Sequence, residues 1–192
     1  MTSYARVLSR TPLRYTAGAD VDTDRAAHVR AGSGCAFIDV PGHGQRLAVV
    51  QDDAAFVALI DVVTGVVDVV TLPAGPHGKR RFDTGRGNKM DKLDLESIVA
   101  VDLDGVPTLL CIGSGSAPIR ECVVVVGFGA EIVVEQVALP ALYAALRARR
   151  DFAGDELNIE GAVIVDDRLL LFNRGNGAGA TVDAIATLSL TG

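Results

Sequence analysis

An all-β fold, made of one four-stranded unit repeated along the chain, is predicted by three features of the sequence. The first is internal similarity. Residues 94–102 align with residues 158–166, and the alignment sets Glu96 against Glu160, 64 residues further on. The second is texture. Short apolar runs rich in Val, Ile and Leu, bounded by Gly, Asp and Asn, read as strands and turns rather than helices. The third is rhythm. Four such runs per repeat, at this repeat length, argue for sheets stacked radially around a central channel, which is the plan of a β-propeller.

A weaker upstream copy starts at Ser33, turns through Pro41, Gly42, His43 and Gly44 into residues 47–50, and ends in the polar tip Gln51, Asp52 and Asp53. Runs at 56–61 and 66–72 complete a first blade, approximately 33–72. In the second copy, 94–102 turns through Leu103, Asp104 and Gly105 into 109–112 and the tip Gly113, Ser114, Gly115 and Ser116. Runs at 122–126 and 131–135 complete a blade at 94–137. The third copy passes from 158–166 through 169–172 to Asn173, Arg174, Gly175 and Asn176, with strands expected at 181–185 and 186–190, giving an incomplete blade at 158–190.

Two inserts break the rhythm. Residues 73–92, rich in Gly, Pro and basic side chains, read as a long connection. Residues 139–150 read as a helix: Pro140 suits the first turn, and Leu139, Leu142, Tyr143 and Leu146 recur at helical spacing as packing residues. The expectation is therefore a single domain, 1–192, forming a partial β-propeller of about two and a half four-stranded blades with one inserted helix (139–150). A ring commonly needs at least four blades. A longer natural chain is expected, the alternatives being completion by another chain or a sheet that stays open, with self-association through the exposed edge of the unfinished blade.

Composition narrows the function classes. Lys plus Arg total 18 against 24 Asp plus Glu, a net charge of −6, which argues against a nucleic-acid partner. The short basic cluster Lys79, Arg80 and Arg81 reads as a solvated loop. No apolar run reaches the roughly 18 residues of a membrane span, and no basic-then-apolar leader opens the chain. Cys35, Cys111 and Cys122 lie in apolar runs without metal-ligand spacing and read as buried free thiols of a reducing compartment. A soluble cytoplasmic protein is expected. His28, His43 and His77 sit in loops and read as surface residues.

In a four-stranded blade, the start of the first strand and the turn between the second and third lie at the same end. Ser33, Asp94, Glu96, Asn158 and Glu160 are thereby placed at one mouth, with the tips carrying Asp52, Ser114, Arg120, Asn173 and Arg174. Two glutamates in a partly desolvated channel require a cation, a proton or a positive side chain to balance them. A hard cation such as Ca²⁺ suits Glu96, Glu160, Asn158 and Asp94 as ligands. Neutralisation by Arg120, Arg174 or Lys92, with no metal, is the alternative. Arg120, Arg174, Asn173, Ser114 and Asp52 are the candidate substrate-binding groups, the arginines for an anionic ligand. No catalytic residue stands out. The Gly113–Ser116 tip lacks the lysine ending of a phosphate loop, and Ser114 lacks a nucleophile-elbow setting.

Several of these residues also carry a resemblance. Lys92 to Glu96, the Gly113–Ser116 tip with Arg120, Leu157 to Ala162, and Phe172 to Asn176 resemble an uncharacterised bacterial family with a domain of unknown function, whose members are expected to form β-propellers. The Ile159-Glu160-Gly161 start is also similar to that of esterase-like phytases and, more distantly, of gluconolactonase-type propellers. The resemblance spans roughly residues 30–176. The hydrolase groups imply a divalent ion at the mouth, with Glu160 and Glu96 as ligands. On that basis a metal-assisted hydrolase acting on an anionic ester, lactone or phosphoester is expected. The rivals are a non-catalytic propeller that binds a small anionic ligand or a protein, and a structural fragment completed by another chain.

Overall fold

The structure is a computed structural model, and it describes residues 5–175, 179 and 182–190. Asn176 and Thr181, assigned above to the third repeat, lie outside the described residues. The chain forms three antiparallel sheets of four, four and three strands, each a meander in which sequence neighbours pair. Sheet 1 contains β1 (Gly32–Val40), β2 (Gly44–Gln51), β3 (Phe56–Ile60) and β4 (Val67–Thr71). Sheet 2 contains β5 (Leu95–Leu103), β6 (Val106–Gly113), β7 (Cys122–Phe128) and β8 (Ile132–Ala138). Sheet 3 contains β9 (Ile159–Val165), β10 (Arg168–Asn173) and β11 (Ala184–Ser189).

Two details differ from expectation. Among the described residues the third repeat carries one further strand, Ala184–Ser189, where two had been expected from the apolar pattern. The insert at 139–150 is not a single helix. The first helix, α1 (Pro140–Ala148), stops at Arg149, whose backbone leaves the helical region (φ −85°, ψ 84°), and the one-turn α2 (Arg150–Ala153) follows. The apolar stripe extends across the break, because Phe152 and Ala153 join Tyr143 and Leu146 in the same core, and the stripe therefore conceals the interruption.

Side chains alternate across a strand, so each sheet has two faces to cover. Sheets 1 and 2 pack face to face through Val50, Val57, Leu109 and Val124, all fully buried. The opposite face of sheet 2 carries Val99 and Ile112 against Ile159 and Leu171 of sheet 3, with α1 and α2 closing the same core. β5, β6 and β7 of sheet 2 are thus largely covered on both faces, which explains their near-continuous apolar runs, whereas β8 carries no buried residue. The first strands of the three sheets, β1, β5 and β9, lie side by side. A Cβ at Gly34 would stand 3.0 Å from the Cα of Ser97, so a side chain there would push β1 and β5 apart by a few tenths of an ångström.

The segment before β1 folds over the outer face of sheet 1, where Leu13, Tyr15 and Val29 cover part of Val49, Ala58 and Ile60. Asp24 in that segment pairs with Arg81 (2.7 Å) and Arg86 (3.0 Å) of the 73–92 connection, so Arg81 is a tether rather than a solvated charge. Cys111 and Cys122 are buried free thiols, but Cys35 is exposed, because it points to the incompletely covered outer face of sheet 1. Among the described residues, no helix is long and apolar enough to cross a membrane.

Candidate functional site

One local device recurs in all three sheets. The first strand of each sheet carries a register shift one residue after it begins, between Gly32 and Gly34, between Leu95 and Ser97, and between Ile159 and Gly161. The extra residues are Ser33, Glu96 and Glu160. A bulge of this kind leaves one residue outside the ladder and re-aims its side chain. The same end of each sheet is closed by a matching hydrogen bond from the tip after the second strand. Asp52 N donates to Ala31 O (3.0 Å), Ser114 N to Asp94 O (2.9 Å) and Arg174 N to Asn158 O (2.9 Å). Neighbouring sheets are then joined at this end, since Ser33 Oγ donates to Leu95 O (2.6 Å) and Ile159 N to Ser114 O (2.8 Å).

The result is a polar cleft of about 590 Å³, lined by Asp52 from sheet 1, by Asp94, Glu96, Ser116 and Arg120 around sheet 2, and by Asn158, Glu160 and Arg174 from sheet 3. Lys89, Met90 and Lys92 of the long connection complete its wall. Glu96 and Glu160 therefore share one mouth.

Asp94 is the organising residue. Its left-handed backbone (φ 55°) is a conformation that Asp and Asn tolerate better than most side chains, and it sits just before β5. Its buried carboxylate accepts from Ser114 Oγ (2.6 Å), Ser116 Oγ (3.3 Å) and Arg120 Nη1 (3.0 Å), and it pairs with Lys92 Nζ at 2.5 Å. Lys92 Nζ also reaches the Asp52 carboxylate, bridging sheets 1 and 2. Burial works against the Asp94 anion, but the hydrogen bonds from Lys92 and Ser114 overcome it and hold its pKa down at about 2. Burial likewise opposes the Lys92 charge, and its two carboxylate partners raise its pKa despite that.

Glu96 is in the opposite situation. Among the described residues it has no hydrogen-bond donor and no ion-pair partner. Burial, reinforced by the charges of Asp52, Asp94 and Glu160 and opposed by Lys92, pushes its pKa up to about 8. Glu160, by contrast, accepts from Asn158 Nδ2 (2.6 Å) and pairs with Arg174 (3.0 Å).

These contacts redistribute the expected roles. Asp94, Glu96, Asn158 and Glu160, the expected metal ligands, all line the cleft, but Asp94 and Glu160 already serve internal donors. The carboxylates whose oxygens converge within 4.8 Å of one another are Asp52, Asp94 and Glu96, and the Lys92 ammonium lies against two of them. Of the expected substrate-binding residues, Arg120, Arg174 and Asp52 reach the cleft. Ser114 is fully buried behind Asp94, and Asn173 is occupied structurally, accepting from Asn158 N (2.7 Å) and donating to Val182 O (2.8 Å). Neither lines the cleft. Met90 is the residue that repeat-based reasoning missed, because it comes from the irregular connection and not from a strand.

The position of Arg120 depends on close packing at Gly113, the last residue of β6. A Cβ there would collide with the Arg120 carbonyl oxygen, a backbone atom. Gly113→Ala is expected to displace the Pro118–Arg120 turn and to lower stability by roughly 1–3 kcal/mol, the cost typical of overpacking. Equilibrium denaturation checks it, and an unchanged midpoint would contradict this packing.

Fold and site together define a class: an all-β repeat protein in which three sheets contribute to one charged cleft. More particularly, the sequence pattern of a family of unknown function (DUF6929) matches residues 28–191, and the chain belongs to that family. No curated protein matches the chain, and no solved structure does.

Proposed function

We propose that the three sheets are successive blades of a β-propeller, and that the cleft at their shared mouth is a hydrolase-type site for a small anionic ester, lactone or phosphoester. The observation that carries this reading is Glu96: a half-buried carboxyl with no partner among the described residues, its pKa pushed up to about 8 by burial among acids that are engaged. A group poised near neutral pH is suited to general acid–base work. As a water oxygen bonds to the acyl or phosphoryl centre and the ester bond breaks, Glu96 would give its proton to the leaving oxygen and regain one from the attacking water. Arg174 and Lys89 stand exposed at the rim and Arg120 lies deeper, an arrangement that would draw in and orient an anion.

A second reading is favoured by the convergence of Asp52, Asp94 and Glu96. These three would hold a divalent cation such as Ca²⁺ if it displaced the Lys92 ammonium, and the ion would supply Lewis-acid polarisation of the scissile group. The same panel of aryl esters, lactones and phosphomonoesters tests both. Turnover that persists in EDTA and is lost in Glu96→Gln supports the acid–base site. Turnover restored only by Ca²⁺, with calorimetric heat of Ca²⁺ binding lost in Asp52→Asn, supports the cation site. No turnover and no heat would sink both and assign the cleft to recognition alone.

A further inference from the structure

We infer that the cleft selects a small substrate carrying several hydroxyls and a single negative charge, and that Lys89 is the specificity-determining residue that receives this charge. The inference rests on the reading of the cleft as a site for an anionic substrate, and it narrows that class.

Four cations line the cleft: Lys89, Lys92, Arg120 and Arg174. Three of them already serve acids of the same wall. Lys92 lies between Asp52 and Asp94, Arg120 reaches Asp94 at 3.0 Å, and Arg174 reaches Glu160 at 3.0 Å. Asp52, Asp94 and Glu160 thus offset those three charges within the protein. Lys89 is exposed on the wall and has no acid partner among the described residues. Glu96, protonated or ionised, adds no positive charge, and Asp91 of the same short turn lies outside the cleft lining. The surplus is therefore one positive charge at most, and a monoanion matches it. The second charge of a phosphomonoester would enter a space already walled by Asp52, Asp94, Glu96 and Glu160, where like charges repel.

The remaining wall specifies the rest of the ligand. Among the described residues, Met90 is the only apolar side chain lining the cleft, and no aromatic ring does so. An acyl chain or an aromatic ring would find little apolar surface to cover it there. Hydroxyls fit instead. A carboxylate offers about four lone-pair directions, so Asp52, Glu96 and Glu160 can accept hydroxyl protons beside their present contacts. Ser116 Oγ and the Asn158 amide add groups that both donate and accept.

The test needs no turnover. Met1 and Met90 are the two methionines of the chain, so a ¹³C-methyl methionine label places one NMR signal in the cleft, assigned by Met90→Leu. Four three-carbon probes, titrated at constant ionic strength about one pH unit above the second phosphate pKa, separate the features. Glycerate has hydroxyls and one charge, propionate one charge alone, glycerol hydroxyls alone, and glycerol 3-phosphate hydroxyls and two charges. Glycerate should bind tightest. Lys89→Gln, an exposed substitution, should weaken glycerate by roughly fivefold, the upper scale of an exposed ion pair, and leave glycerol unchanged. Glu160→Gln removes one negative charge from the wall and should bring glycerol 3-phosphate level with glycerate. Tightest binding of glycerol 3-phosphate to the wild type would overturn the inference, as would propionate matching glycerate. Glycerate binding that ignores Lys89→Gln, or a Met90 signal that no probe moves, would overturn it equally. Glycerate has no ester bond, so the expected order of binding without turnover of any ester would remove the hydrolase reading and leave this selectivity standing.

Discussion

Asp94→Asn is expected to lower folding stability by about 3–5 kcal/mol near neutral pH, the typical consequence of removing one member of a buried charge network. The substitution is nearly isosteric, and Asn accepts the left-handed backbone that residue 94 adopts, so the effect isolates the charge. Among the described residues, what remains is a buried Lys92 with only Asp52 to balance it, and an Arg120 whose Nε is already buried without an acceptor. The pH dependence has a definite sign. The Asp94 pKa is lowered on folding from 3.8 to about 2, so its stabilisation is fully present above pH 3.8 and is lost as pH falls through 2. The stability gap between wild type and Asp94→Asn should therefore be flat above about pH 5 and narrow steadily below pH 4, as measured by denaturant unfolding. A gap under about 1 kcal/mol at pH 7 would mean that the network contributes no more than an exposed ion pair.

Glu96→Gln should have the largest functional effect and an opposite pH signature. If Glu96 exchanges the proton in hydrolysis, its amide should lower turnover by about 10²–10⁴-fold, the usual worth of a positioned acid–base group. Its effect on stability runs the other way. The folded chain keeps the Glu96 proton up to about pH 8, whereas the unfolded chain releases it near 4.5. Between those values the native state binds more protons, so wild-type stability falls as pH rises from 4.5 to 8 and levels off beyond. The amide carries no such penalty. Glu96→Gln should match wild type near pH 4.5 and exceed it by a few kcal/mol at pH 9, since each pKa unit corresponds to about 1.4 kcal/mol. Loss of activity with higher alkaline stability is the combination expected of a carboxyl held protonated for function. Loss of both would mark Glu96 as a structural residue.

Much of this was readable in the sequence, for a physical reason. A repeat that must bury a sheet on both faces leaves long apolar runs, and the polar residues interrupting those runs mark the sheet ends. Hence Glu96, Glu160, Asp94 and Asn158 could be placed at one mouth. What the pattern does not record is pairing. Whether Asp94 points at a ligand or at Lys92 depends on a left-handed residue before β5 and a bulge within it, and neither changes the apolar rhythm. Ser114 and Asn173 were expected to contact ligand because they are polar tip residues, yet burial converts both into scaffolding for their neighbours. Cys35 misled for the converse reason: an apolar run predicts cover without naming what provides it, and the outer face of sheet 1 is covered only in part.

The shared mouth can be tested by following the side-chain carboxyl carbons of ¹³C-labelled glutamate by NMR across pH 3–10. The Glu96 resonance, assigned through Glu96→Gln, should titrate with a midpoint near 8, and that midpoint should fall in Glu160→Gln, because the neighbouring sheet's charge is one of the causes of the shift. A Glu96 midpoint near 4.5 that does not respond to residue 160 would contradict it, since carboxyls that do not sense each other cannot face the same cleft.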